Sequence, residues 1–436
     1  MPKIVTNVKD ESGLPRKSTY TVLITGLYGM KENTENTENK TMRPITAQSG
    51  DIVAEKTPTL ITSVDDLEKY FGKVTVATKL DGGKIVTDTA VPLRRALVMA
   101  EALLKLGMNV LYVGYFKTPS TIDWSSLVGS RSDKELRFVC SGDFPGVNEL
   151  DKIKACATYG GCSALSDIEE TIKPEDGKTI AEAIQSTFAG YINYGTTSTQ
   201  LSDDIACYGA GFAPWGKYDN TIVADDFVDT YFPASFAYLL SFANSVIVNN
   251  NPVGFAVAGK ERGLIPGYVQ SKYTFDDADI NVLQRKKSDI TSLDDIEGVA
   301  VNPICFIRTI GNVVWGNRTL KPNTTDTKIT SKLTWSSFLN IMQVVLTITD
   351  TAWLTSKEFT FEQNTDVLWV NYRARLSRTL DKLQSDFEIA DYRIDKLPTK
   401  DRARLCTQIT VVPIEPVEDF KINVNLSDSI SVSVEQ

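Results

Sequence analysis

Val91-Pro92-Leu93-Arg94-Arg95-Ala96-Leu97-Val98-Met99-Ala100-Glu101-Ala102-Leu103-Leu104-Lys105-Leu106-Gly107-Met108-Asn109-Val110-Leu111-Tyr112-Val113 reads as a helix, a stop and a buried strand in one sweep. Leu93, Leu97, Ala100, Leu103 and Leu104 recur at helical spacing. Gly107 ends the helix, and Asn109 to Val113 is apolar enough for a buried strand. Just upstream, Leu60-Ile61 are extended, Ser63 is placed to cap a helix from Val64 to Phe71, and Gly72 closes it. Further upstream, Tyr20-Thr21-Val22-Leu23-Ile24 reads as a strand stopped by Gly26 and Gly29. Downstream, the alternation returns at Leu136 to Cys140 and around Ile180 to Tyr194. Helix alternating with strand predicts a layered α/β fold.

The remaining chain extends this pattern. A helix is expected from Ser235 to Ser245, ending at Asn249-Asn250-Asn251-Pro252, and Lys286 to Ile296 reads as charged and exposed. Cys305 to Ile310 and Asn312 to Trp315 read as two strands around Gly311. Helices follow at Ser336 to Ser356 and Asp366 to Phe387. In the second, Trp369, Tyr372, Leu376, Leu380, Leu383 and Phe387 fall at steps of three and four and make one apolar stripe. Arg375, Arg378 and Lys382 lie within about 60° of one another on a different face. Gln408 to Val412 is a strand stopped by Pro413 and Pro416.

Both ends read as arms. The polar first stretch carries only Ile4, Val5 and Val8 as apolar residues of note, with Gly13 and Pro15 against a helix. At the other end Ile422, Val424, Leu426, Ile430, Val432 and Val434 alternate with polar residues, the pattern of a strand with one buried face. That strand follows a domain that reads as complete, so it lacks a partner there. An unpaired edge is a template for another chain. Asn33 to Lys40 holds no apolar residue and reads as a solvated loop tip.

Composition narrows the chemistry. At 436 residues, two to three domains are expected at about 150 residues each. Histidine is absent, which removes His-dependent triads, imidazole zinc sites and a His general base. Six cysteines without a C-x-x-C pair offer no zinc ribbon and no redox motif. A net charge of −9 has the wrong sign for wrapping nucleic acid. Met1-Pro2-Lys3-Ile4-Val5 followed by Thr6-Asn7 does not read as a signal peptide, and no apolar run approaches a membrane span.

Gly254-Phe255-Ala256-Val257-Ala258-Gly259-Lys260 has phosphate-loop spacing, but Glu261 stands where a Mg²⁺-binding hydroxyl belongs and would repel phosphate. The pairs Asp203-Asp204, Asp225-Asp226 and Asp276-Asp277 lack calcium-loop spacing and read as solvated loop acids. No metal and no cofactor is expected, and no catalytic residue is assigned.

Several segments together resemble the contractile tail sheath family of bacteriophages and phage-derived injection machines. The early ones are Val22 to Gly29, Pro58-Thr59-Leu60-Ile61-Thr62-Ser63, and Leu67-Glu68-Lys69-Tyr70-Phe71-Gly72. The middle ones are Ala213-Pro214-Trp215, Pro233-Ala234-Ser235, Ala258 to Gly263 and Pro266-Gly267. The late ones are Asn302 to Arg308, Val314-Trp315-Gly316-Asn317-Arg318-Thr319-Leu320, Phe359 to Asn364 and Leu368-Trp369. Tyr112-Val113-Gly114 departs by lacking the family's frequent arginine, and the Asn33 to Lys40 loop is its own.

The resemblance implies an α/β chain of mixed α+β character, a layered sheath core with a C-terminal α/β domain and extended strand arms. The implied divisions are an N-terminal arm (1–19), the N-terminal part of the core (20–120) and a middle, outer α/β domain (121–298). A C-terminal domain facing an inner tube (299–416) and a C-terminal strand arm (417–436) complete them. It further implies a non-enzymatic subunit stacked in rings as a helical homo-oligomer around an inner tail tube, in contact with baseplate and tail terminator proteins. Direct nucleic-acid contact and membrane insertion are not implied. Such a subunit is made in the host cytoplasm and works in the virion, where the sheath contracts from a metastable extended state. The arm residues Ile4, Val5, Val8, Ile422, Val424, Leu426, Ile430, Val432 and Val434 would join subunits. Either the helix Asp366 to Phe387 or its neighbour Ser336 to Ser356 would face the tube, with the basic residues Arg375, Arg378 and Lys382 as the candidate contact and a solvated helix face beside Asp381 and Asp386 as their alternative reading. The alternatives are a static tube or collar protein, or an α/β nucleotide-binding enzyme using Gly254 to Lys260.

Overall fold

β1 (Thr21–Leu27), β2 (Thr59–Ile61), β3 (Asn109–Tyr115), β4 (Leu136–Cys140), β5 (Ser163–Asp167), β6 (Gly209–Ala213), β7 (Asn302–Ile307) and β8 (Gly311–Val314) form one sheet. Their order across it is β8-β7-β6-β5-β4-β1-β3-β2. The computed structural model describes residues 20–33, 40–46, 56–116, 121–129, 136–159, 161–196, 199–284, 298–322, 334–400 and 404–416. Both proposed arms, most of the Asn33 to Lys40 loop and all of Lys286 to Ile296 lie outside the described residues.

From β3 to β7 all pairings are parallel, and only β2 and β8 at the edges run antiparallel. Parallel neighbours need crossovers that cover the faces with helices. Alternate residues divide accordingly. Val22, Ile24, Val110, Tyr112, Phe138 and Cys140 pack on one face with α1 (Val64–Phe71), α2 (Arg95–Lys105) and, from farther along the chain, the helix Ala234–Phe242. Leu23, Leu111, Val113 and Val139 pack on the other, with α3 (Glu149–Tyr159) and α4 (Ile180–Tyr191). The helix Ala234–Phe242 is α5, and it runs on as a π-helical turn, Ala243–Val248.

Local signals account for several boundaries. The Ser63 side chain accepts the Asp66 N–H, and Gly72 closes α1 at φ +92°, a conformation that suits glycine. Gly107 plays the same part after α2 at φ +85°. The strand expected to stop at Gly26 instead runs through it to Leu27. Gly26 is a packing glycine, because a Cβ there would collide with Ala96 and the Tyr112 hydroxyl where α2 crosses the sheet.

A second unit follows the sheet: α6 (Leu339–Glu358), α7 (Asp366–Ser385) and a hairpin of β9 (Ile389–Leu397) and β10 (Cys406–Pro413). Its core is Val344, Tyr372, Leu376, Leu380, Leu383, Ile389 and Ile394. The helix expected from Ser336 begins at Leu339, after a short 3-10 turn at Trp335–Ser337. The stripe on α7 is present except at its end: the helix stops at Ser385, and Phe387 turns out to solvent in a left-handed conformation, 71% exposed.

The two units are joined at the base of α6. Buried Arg137 at the start of β4 donates to the Gln343 carbonyl at 3.2 Å and to the Thr347 hydroxyl at 3.1 Å. The Gln343 amide donates to Ser163 at 2.9 Å.

Candidate assembly interface

α6 and α7 each run for 20 residues, about 30 Å at 1.5 Å per residue. Side by side, two helices about 10 Å across present a face about 20 Å wide. Two strands spaced about 4.8 Å apart cover roughly half of it. α7 seats its stripe on the hairpin, while the outer flank of α6 is left beside β10. Between them opens a groove of about 600 Å³, walled by Ile341, Val345, Ile348 and Ala352 of α6 and by Ile409 and Val411 of β10. Among the described residues β10 pairs with β9 alone, so its outer edge borders this groove unpaired. An apolar groove along an open edge accepts an added strand by main-chain hydrogen bonding.

The basic cluster sits on the exposed side of α7. Arg375 pairs with Glu358 of α6 at 3.3 Å, with both side chains about half exposed. Arg378 and Lys382 are exposed and make no ion pair among the described residues. The helix brings all three to one side, as their spacing predicts. Beyond them, Val367 and Val370 on α7 and Phe361 in the preceding turn are also exposed, an apolar element that the charge pattern did not flag.

The glycine-rich loop with phosphate-loop spacing is engaged otherwise. The Gly254 N–H donates to the Glu388 carboxylate at 2.6 Å, and the Gly254 carbonyl accepts from the Asn340 amide at 2.6 Å. Gly259 then opens a helix of only four residues, Gly259–Arg262. An anion meets a carboxylate there, not a cradle of free amides, so the nucleotide reading fails on geometry. Of the acid pairs, Asp276 caps the helix Asp277–Leu283 and Asp226 accepts from Thr75 at 2.6 Å.

The crevice where doubly wound sheets usually take ligands lies between β1 and β4, where the strand order reverses. The chain fills it with its own acid. The half-buried Asp143 carboxylate accepts the Leu27 N–H at 2.8 Å and the Ala96 N–H at the start of α2 at 3.0 Å. Burial pushes it up to about 6. One strand over, buried Asp167 accepts the Ser235 N–H at 2.7 Å and its hydroxyl at 2.5 Å, capping α5, and burial pushes it up to about 7. Buried Lys152 lies alongside, bonded to Glu149, to the Ser141 hydroxyl at 2.7 Å and to the Leu165 carbonyl at 2.8 Å. These polar groups are spent on holding helices to the sheet. Sequence reading missed them, since an acid at or just past the end of a strand has no local signature of capping a helix from elsewhere.

No protein-family model and no curated protein matches the sequence. Two solved structures resemble the chain over nearly its whole length. One is the sheath complex of an extracellular contractile injection system, PVC, in the contracted state. It is 15% identical, with a TM-score of 0.60, covering 94% of this chain and 92% of that one. The other is a chain in the 6-fold symmetrised baseplate of the anti-feeding prophage (AFP). It is 13% identical, with a TM-score of 0.60, covering 98% of this chain and 100% of that one. The fold is therefore that of contractile injection system sheath and baseplate components, mixed α/β as the sequence predicts.

Proposed function

We propose that this chain is a structural, non-enzymatic subunit of a contractile sheath. It polymerises in stacked rings around an inner tube and shortens from a metastable extended state to drive that tube through a cell envelope. The unpaired β10 edge beside an apolar groove carries the reading, because it is a receptor for a strand and the chain has an alternating C-terminal segment, Ile422 to Val434, to donate. The arms at Ile4, Val5 and Val8 and at Ile422 to Val434 are the donated strands, each adding to the β9–β10 sheet of a neighbour. A head-to-tail contact of this kind is heterologous and builds open helical polymers. Main-chain pairing also tolerates rotation of rigid bodies if the connecting segments flex, which contraction needs. Arg375, Arg378 and Lys382 face an acidic inner tube, within the tube-facing C-terminal domain. Baseplate and terminator proteins meet the ends of the polymer, in a phage tail or a related injection particle assembled in the host cytoplasm.

Electron microscopy of the full chain, alone and co-expressed with its tube protein, tests this. Hollow striated tubes of wide lumen are expected, and deletion of residues 416–436 abolishes them. Monodisperse subunits under both conditions overturn the reading. The likeness to a chain in a baseplate structure supports a second reading, a static ring or collar. That reading gives one polymer length where a sheath gives two.

A further inference from the structure

The groove beside β10 has a match within the chain itself. Along β10, Thr407, Ile409, Val411 and Pro413 are half-buried and face the helices, while Gln408, Thr410 and Val412 are exposed. The chain continues from Pro413 through Pro416 into Phe420, Ile422, Val424 and Leu426, which alternate with Lys421, Asn423 and Asn425. A four- to six-residue turn around Pro416 is enough to reverse the chain. With Ile414 opposite Asp419, that turn sets Pro413 opposite Phe420, Val411 opposite Ile422, Ile409 opposite Val424 and Thr407 opposite Leu426. Because side chains alternate with a strict period of two, this register puts every apolar tail residue on the helix side, over the groove. A slip of one residue would put all of them in water. The lengths agree as well: Ile341 to Ala352 spans about 17 Å along α6, and Phe420 to Leu426 about 20 Å as a strand.

We propose that in the free subunit residues 420–426 lie along the outer edge of β10 in cis, as the third strand of the chain's own hairpin sheet. Assembly then exchanges this strand for the same segment of a neighbour, in the same register and against the same groove. The inference rests on the strand-donating reading of the function. It adds a consequence: the free subunit hides its own docking groove, so polymerisation waits on an event that opens the cis hairpin. Exchange of an identical element leaves little net gain per strand, since the incoming strand only restores the pairing that the chain's own strand gave up.

The test uses the full chain with Cys406→Ser to remove the half-exposed native thiol. Two thiols are introduced at Thr410→Cys and Asn423→Cys, which stand opposite each other on the solvent face. Gln408→Cys with Asn425→Cys is a second in-register pair, and Thr410→Cys with Val424→Cys is the out-of-register control. Equal amounts of ¹⁵N-labelled and unlabelled subunit are mixed, oxidised with copper phenanthroline, digested and read by mass spectrometry. In dilute subunit, both in-register pairs are expected to link within one label, and the control is expected not to link. In assembled tubes, about half of the linked peptides should carry mixed labels. Mixed labels in tubes without any link in the dilute subunit overturn the cis strand and leave the sheath reading standing. Single-label links in tubes as well overturn the exchange and strand donation together.

Discussion

Glu388 Oε2 accepts the backbone N–H of Gly254 at 2.6 Å, tying the corner between α7 and β9 to a loop 134 residues earlier. Asn340 at the start of α6 holds the same residue from its carbonyl side. Gly254 thus adds a second tie between the helix–hairpin unit and the rest of the chain, beside the Arg137 and Gln343 bonds. Under the proposed sheath function, force passing through the arms would require such a joint to be stiff.

Gly254→Ala tests the joint. A Cβ there would lie 2.5 Å from Glu388 Oε2 and 2.7 Å from a Val344 methyl. Overpacking of this kind costs about 1–3 kcal/mol. The expected result is a lower denaturation midpoint, and faster proteolysis near residue 254 if the two units loosen. An unchanged midpoint would show that the loop yields freely.

Stability should depend on pH in an unusual direction. Burial pushes Asp143 up to about 6, and Asp167 and Glu388 up to about 7. In the unfolded chain these acids release protons near 4, so between about pH 4 and 7 the folded state holds more protons. Their contribution is fully present below pH 4 and is lost as pH rises through 6 and 7. A tenfold difference in proton affinity between folded and unfolded chain corresponds to about 1.4 kcal/mol, so a loss of a few kcal/mol is expected between pH 5 and 8. Urea midpoints of the unassembled subunit measure it. Asp167→Asn should flatten the slope, and stability that climbs steadily over this range would contradict the assignment.

Lys152 Nζ sits 2.7 Å from Glu149 Oε2 with both side chains shut off from solvent. Lys152→Met leaves a buried charge alone and is expected to cost about 3–5 kcal/mol. Adding Glu149→Gln should recover part of that. If the double variant is no better than the single one, the loss reflects packing around α3 and not the stranded charge.

Reversal of the basic face, Arg375→Glu with Arg378→Glu and Lys382→Glu, should leave the subunit folded, because all three side chains are exposed. Loss of the Arg375–Glu358 pair costs little, since exposed pairs contribute about 0–1 kcal/mol. Assembly on tubes should fail, as read by co-sedimentation with the tube protein. Unchanged co-assembly would move the tube contact elsewhere, with the exposed Val367 and Val370 as the next face to test.

Much of the architecture was legible locally. The cap at Ser63, the glycine stops at Gly72 and Gly107, and the period-four stripe on α7 act over a few residues, so their consequences can be read in order along the chain. β9 was not legible: its outward Asp391, Arg393 and Lys396 mask the buried Ile389 and Ile394 in a strand that needs β10 to be recognised. Phe387 continued the stripe on paper, yet the helix had ended two residues before it.

By itself the sequence determined the element types, the two-sided burial of the strands and the poverty of catalytic groups, because periodicity, capping and composition are properties of neighbours in the chain. Tertiary structure alone decided that Gly26 belongs inside a strand, that Asp143 and Asp167 cap helices from other segments, and that β10 borders an open groove. Each of these depends on which surfaces meet across tens to hundreds of residues, and a linear pattern carries no record of that meeting until the sheet order brings them together.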